Sequence, residues 1–182
     1  MRPSHLVLGA CALTIGVGPA RAYAPHFRDG AVTNPPPPDP QIVAIGSTLA
    51  GTWKCKGVRL LDDGSSTPLR VGITSHVELG GAWIATLRVA ADDRSMIEDH
   101  DTYDPIAKHW TRYELASTAG HVEATSDGEV DGVWTWTGVA RSSGGSNNVR
   151  DFEQRAGRTR KLWGEIMLHG AWRKTYELSC ER

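Results

Sequence analysis

Helical periodicity is almost absent from this chain of 182 residues. Outside Gln41 to Leu49, no stretch repeats apolar residues three and four apart, which argues against bundles and doubly wound α/β folds. Long apolar runs are missing as well. Leu6 to Val17 is too short to cross a bilayer, and nothing later approaches the roughly 18 apolar residues of a membrane span. No transmembrane segment is expected. Neither charge sign dominates, with 20 Lys and Arg against 21 Asp and Glu. No basic stripe is present, which argues against a nucleic-acid partner. Cysteine is scarce, at three residues without a Cys-x-x-Cys pair. Redox catalysis and structural zinc therefore lack their usual signature. Nucleophile elbow, phosphate-binding glycine loop and His-Glu-x-x-His are all missing. Gly144 to Asn148 reads as a flexible hairpin loop, because no strand-to-helix context surrounds it. Ser, His and Asp are not spaced as a triad. No catalytic group, cofactor or metal is assigned.

What is present begins with a secretory leader over residues 1–22. Arg2 supplies the positive start, Leu6 to Val17 the apolar core, and Ala20-Arg21-Ala22 a small-x-small cleavage site. Leu8-Gly9-Ala10-Cys11 also resembles a lipoprotein cleavage box, which would leave the chain anchored at Cys11. Either way the protein is expected to be exported, as a secreted or periplasmic species. Residues 23–40 contain Pro35 to Pro38 and read as a linker, since consecutive prolines favour an extended chain without amide donors. One domain over 41–182 remains. Removing Arg2 and Arg21 leaves 18 basic against 21 acidic side chains, a formal charge of −3.

The domain breaks into short runs separated by turn residues, the pattern of an all-β fold. Strands are expected near 50–60, 69–79, 82–90, 96–103, 109–116, 121–126, 132–139, 147–156, 159–168 and 170–180. Asp62 to Ser65, Gly80-Gly81, Asp104-Pro105, Asp131-Gly132 and His169-Gly170 supply turns. About ten strands joined by short hairpins describe a closed antiparallel up-and-down β-barrel with a short N-terminal helix, and closure removes exposed edges. Loss of Cys11 with the leader leaves Cys55 in the first strand and Cys180 in the last, so one disulfide closing the barrel is expected. Two buried thiols are the alternative. If the pair is bridged, opposed positions sum to 235. Trp53 then faces Arg182, whose guanidinium either stacks on the indole or frays into solvent.

Gly51-Thr52-Trp53 resembles the Gly-x-Trp that opens the first strand of lipocalins and the wider calycin group. There an arginine from the last strand commonly covers the tryptophan. Leu49 to Gly57, Leu79 to Trp83, Tyr103 to Pro105, Gly132 to Trp134, Arg150 to Phe152 and Gly170 to Arg182 together resemble a family of secreted bacterial lipocalin-like domains of unknown function. The resemblance spans nearly all of 41–182 and implies a fold, without an activity. The opening strand also resembles nitrobindin, a haem-binding barrel whose iron is held by a histidine near its C-terminus. This sequence departs from that pattern at Cys55, and its only late histidine is His169, in the expected His169-Gly170 turn.

Three groups of residues carry the candidate chemistry. In Glu98-Asp99-His100-Asp101-x-Tyr103, alternation sends Glu98 and His100 one way and Asp99, Asp101 and Tyr103 the other. Either set, facing inward, could hold a ligand's polar end or act as acid and base; the alternative is a satisfied hydrogen-bond network. Trp134 and Trp136 share a face, and with Trp83 they could wall a cavity for a flat or greasy ligand or simply fill the core. Trp110, Arg112 and Glu114 share a face. Inward, Arg112 could bind a ligand carboxylate; outward, Arg112 and Glu114 form a surface pair. His76 and Glu78 pose the same choice. The expected site is therefore Trp83, His100, Asp101, Tyr103, Arg112, Trp134 and Trp136, around a small apolar or amphipathic ligand. An isomerase- or cyclase-type enzyme using the 98–103 cluster and a protein-binding, inhibitor-like module are the alternative functions.

Overall fold

The computed structural model describes residues 37–182; the leader, Cys11 and most of the expected linker lie outside the described residues. One helix, α1 (Pro40–Leu49), precedes eleven strands: β1 (Gly51–Leu60), β2 (Ser66–Glu78), β3 (Trp83–Ala90), β4 (Met96–Asp104), β5 (His109–Ala116), β6 (His121–Ser126), β7 (Glu129–Val130), β8 (Val133–Ser142), β9 (Gly145–Ala156), β10 (Thr159–Leu168) and β11 (Ala171–Glu181). The helix starts one residue earlier than expected. Asp39 accepts a hydrogen bond from the Gln41 amide at 2.8 Å, and Pro40, lacking the donor that a first turn leaves unused, opens the helix. Pro40 thus belongs to the folded unit and not to the linker.

Each long strand pairs antiparallel with its sequence neighbour, β1 pairs with β11, and β6 pairs with β8. The result is a closed ten-strand barrel, with the two-residue β7 added at one margin of β8. Local chemistry supports the connections. In the β10–β11 hairpin, Leu168 pairs with Ala171, and both loop residues adopt positive φ, His169 at 51° and Gly170 at 80°. Two left-handed loop residues give the turn whose twist matches the flanking strands.

Cys55 is opposed to Cys180, Lys54 to Glu181 and Gly57 to Leu178, the register expected from the sequence. The sulfurs are bonded at 2.01 Å. Trp53, Ile73, Leu178 and the disulfide form one buried cluster inside the ring. Arg182 does not fray. Its guanidinium carbon lies 4.5 Å from the Trp53 ring centre, and it donates to the carbonyls of Thr48 and Ala50. The Trp53 indole donates to Leu49 O at 3.0 Å. The first strand, last residue and helix are therefore tied together at one point.

The bridge spans 125 residues of sequence. Replacing both cysteines by serine should lower unfolding free energy by up to about 4–5 kcal/mol. Urea denaturation measures that loss, and far-ultraviolet circular dichroism should still report the native sheet below the transition.

Candidate functional site

Alternation and pairing place one residue in two of each strand inside the ring. The interior has three levels. At the end covered by α1, Ile42 and Leu49 pack against Ile84, Trp110, Ala124, Trp134 and Trp136. Trp110 meets Trp134 edge-on at 5.1 Å, and Trp134 stacks on Trp136 at 6.0 Å. These indoles fill the space between helix and barrel.

The middle level is ionic. Arg112 donates two hydrogen bonds to Asp101, at 2.7 and 2.8 Å, and lies over Trp136 at 4.0 Å. Arg88 contacts Asp99 at 2.6 Å and Glu114 at 3.8 Å. Glu153 contacts Arg160 at 2.9 Å and Arg155 at 3.4 Å. Tyr176 donates to Asp151 at 2.7 Å. Gly164 stands between the last two, because a Cβ there would collide with the Tyr176 ring and the Asp151 carboxylate. Burying charges of both signs works only because each has a partner. Burial alone disfavours the charge on Arg88 and on Arg112, but the facing carboxylates outweigh it and both remain protonated. Burial pushes the Asp101 carboxyl up, and Arg112 opposes that. Four guanidiniums face five carboxyl groups here, so one acid must hold a proton for charges to balance. Burial pushes Glu114 up to about 8, Asp99 and Asp151 add to the rise, and Arg88 opposes it. The Tyr176 phenol is driven well above its ordinary value by burial and by Asp151.

The third level is open. At the end opposite α1, a pocket of about 340 Å3 lies in the barrel mouth. Its apolar walls are Leu60, Leu69, Val71, Ala90, Ile97 and Leu178, its floor is Arg88 and Tyr176, and Arg59, Ser95 and Thr175 also line it. Beneath that floor is a cavity of about 20 Å3, bordered by Arg88 and Tyr176 again, by the acids Asp99, Asp101, Asp151 and Glu153, and by Arg112 and Arg160. It has room for about one water molecule. A groove of about 410 Å3 runs between the β1–β2 and β10–β11 hairpins and shares Leu60 and Thr175 with the mouth.

The sequence-derived residues fall into two sets. Asp101, Tyr103, Arg112, Trp134 and Trp136 come together in the ionic and helix-capped levels. Trp83 and His100 are on the outer face. Trp83 lies 6.3 Å from the Tyr113 ring, and His100 contacts Glu78 at 3.0 Å and Glu98 at 3.3 Å. His100 and Asp101 point to opposite sides of the barrel wall, so no single molecule in the lumen touches both. Trp110, Arg112 and Glu114 face inward, which overturns the surface-pair reading of Arg112 with Glu114. His76 and Glu78 do form an outer pair, at 3.7 Å. Sequence reasoning did not single out Arg88, Tyr176 or the aliphatic mouth residues. Alternation in β3 with inward Ile84 and Thr86 carries the signal for Arg88, and the register through Cys180 carries it for Tyr176.

No protein-family model and no curated protein sequence matches this chain. The fold defines a ten-strand antiparallel barrel, and a solved structure shares it. The crystal structure of Rv2717c from M. tuberculosis superposes with a TM-score of 0.63 at 9% identity, covering 80% of this chain and 98% of that one. That similarity shows the fold alone. Among the described residues no histidine lines either cavity, and His169 is exposed at a hairpin tip. The residues present do not fit a histidine-held haem.

The folded protein holds the Glu114 proton more tightly than the unfolded chain, so this group lowers stability as pH rises from about 4.5 to about 8, and no further above that. Glu114→Gln should remove the decline, which is on the order of a few kcal/mol. Urea unfolding at pH 5, 6.5 and 8 should show a falling series for the native protein and a flatter one for the variant.

Proposed function

We propose that this protein is an exported, lipocalin-like barrel that takes one small apolar or amphipathic molecule into its open mouth. The observation that carries the reading is the unequal filling of the lumen. Indoles and the helix occupy one end, whereas the other keeps about 340 Å3 behind an aliphatic wall with two polar side chains below. Concave, mostly apolar sites with a few placed polar groups are what small ligands occupy. Export into a compartment that permits disulfides agrees with the Cys55–Cys180 bridge. No helix among the described residues is long and apolar enough to cross a membrane.

On this reading Asp101, Arg112, Tyr103, Trp134 and Trp136 act on the ligand indirectly, by making the floor rigid. Trp83 and His100 sit outside the lumen and have no part in it.

Ala90 is a buried wall residue of the pocket. Ala90→Trp should fill the mouth while removing no member of the ionic level. Isothermal titration calorimetry with alkyl ligands should show affinity reduced at least about tenfold, with the sheet signal unchanged. Equal binding by a folded Ala90→Trp protein would reject the mouth as the site.

A further inference from the structure

Resting on the binding reading above, we infer that the ligand is an uncharged amphiphile with a hydroxyl head, which donates a hydrogen bond to Asp99 between Arg88 and Tyr176 while its chain lies in the mouth and the adjoining groove.

The polar end of the site decides the head group. Asp99 is 0% exposed. Arg88 Nη2 stands 2.6 Å from its Oδ2, yet neither carboxylate oxygen receives a hydrogen bond. A wholly buried carboxylate with open acceptor sites is costly, and a donor that reaches it recovers part of that cost. The cavity that borders Asp99 holds about 20 Å3, enough for one water or one hydroxyl. Arg88 and Tyr176 border that cavity and also floor the mouth, so they form the partition between the two. A head group entering from the mouth meets Asp99 by passing these two side chains.

Charge excludes the alternatives. A carboxylate head would approach Asp99, Asp101 and Asp151, and each guanidinium bordering the cavity is already paired, Arg88 with Asp99, Arg112 with Asp101 and Arg160 with Glu153, as is Arg59 at the mouth with Asp93. The Tyr176 proton is engaged by Asp151, so the phenol has none to offer an anion. An ammonium head would meet the Arg88 guanidinium at the partition. A charge of either sign is thus desolvated without a free counter-charge. A neutral donor escapes both penalties.

The shape of the space sets the rest of the molecule. Leu60 and Thr175 line the mouth and also the groove of about 410 Å3 between two hairpins, where Leu61, Ile166, Leu168 and Trp172 continue the apolar surface. A flexible chain longer than the mouth has a covered route outward, which a compact ring system would not use.

Four probes of similar length isolate the head: 1-octanol, its isomer heptyl methyl ether, octanoate and octylammonium. Calorimetric titration of the native protein at pH 7 should rank 1-octanol first, about tenfold tighter than the ether, which keeps the acceptor oxygen but lacks the donor. Octanoate and octylammonium should bind more weakly than 1-octanol. Asp99→Asn should bring 1-octanol to within about threefold of the ether, and unchanged ether affinity shows that the variant's pocket is intact. If octanoate or octylammonium binds tightest, or the ether equals 1-octanol, the head assignment is wrong while the mouth remains a binding site. If no probe binds the native protein, the mouth reading falls and this inference with it.

Discussion

Ring closure is the constraint from which the rest of this structure follows. Pairing of β6 with β8 and of β1 with β11 removes every long free edge among the described strands. Once the sheet is a ring, alternation leaves no choice about which side chains enter the lumen. A barrel of ten strands is wider than one of eight, whose interior side chains can fill it. Here the extra space is occupied at one end by indoles beneath a helix and in the middle by paired charges. At the other end it stays open.

The ionic level does two jobs in this account. It closes the lumen where apolar side chains would have to reach across a wide ring, and it gives the pocket a floor with fixed donors and acceptors. Each ion pair on its own would be a doubtful source of stability, since desolvation offsets most of the attraction. Their value lies in position. Arg112 held by Asp101 on two hydrogen bonds, and Tyr176 held by Asp151 over a glycine, cannot swing into the mouth and fill it. The unequal count of acids and guanidiniums follows from the same crowding, and the proton on Glu114 settles it.

Much of the fold was legible in the residues because its signals are local. Asp-Gly and Gly-Gly turns separate the strands, and the ten expected segments differ from the observed ones by three residues or fewer at every end. The Cys55–Cys180 pair set the register, and Trp53 with Arg182 followed from it. The site was less legible because face and depth are different questions. Alternation says that Trp134, Trp136 and Asp101 point inward, but not that α1 lies over that end and turns two indoles into filling. Nor does it say that Glu114 crowds Arg88 and Asp99 into one cluster. The acidic run at 98–101 drew attention as a unit, although a strand divides such a run between two faces. Arg88 on β3 and Tyr176 on β11, eight strands apart in sequence order, meet only after closure. The two-residue β7 is too short to leave a pattern.

The claim that the lumen is filled at the helix end and open at the other is tested most directly by heteronuclear NMR during a ligand titration. The account predicts methyl shifts at Val71, Ala90, Ile97 and Leu178, with the indole signals of Trp110, Trp134 and Trp136 unmoved. Shifts concentrated on those indoles, or none at the mouth at saturating ligand, would contradict it.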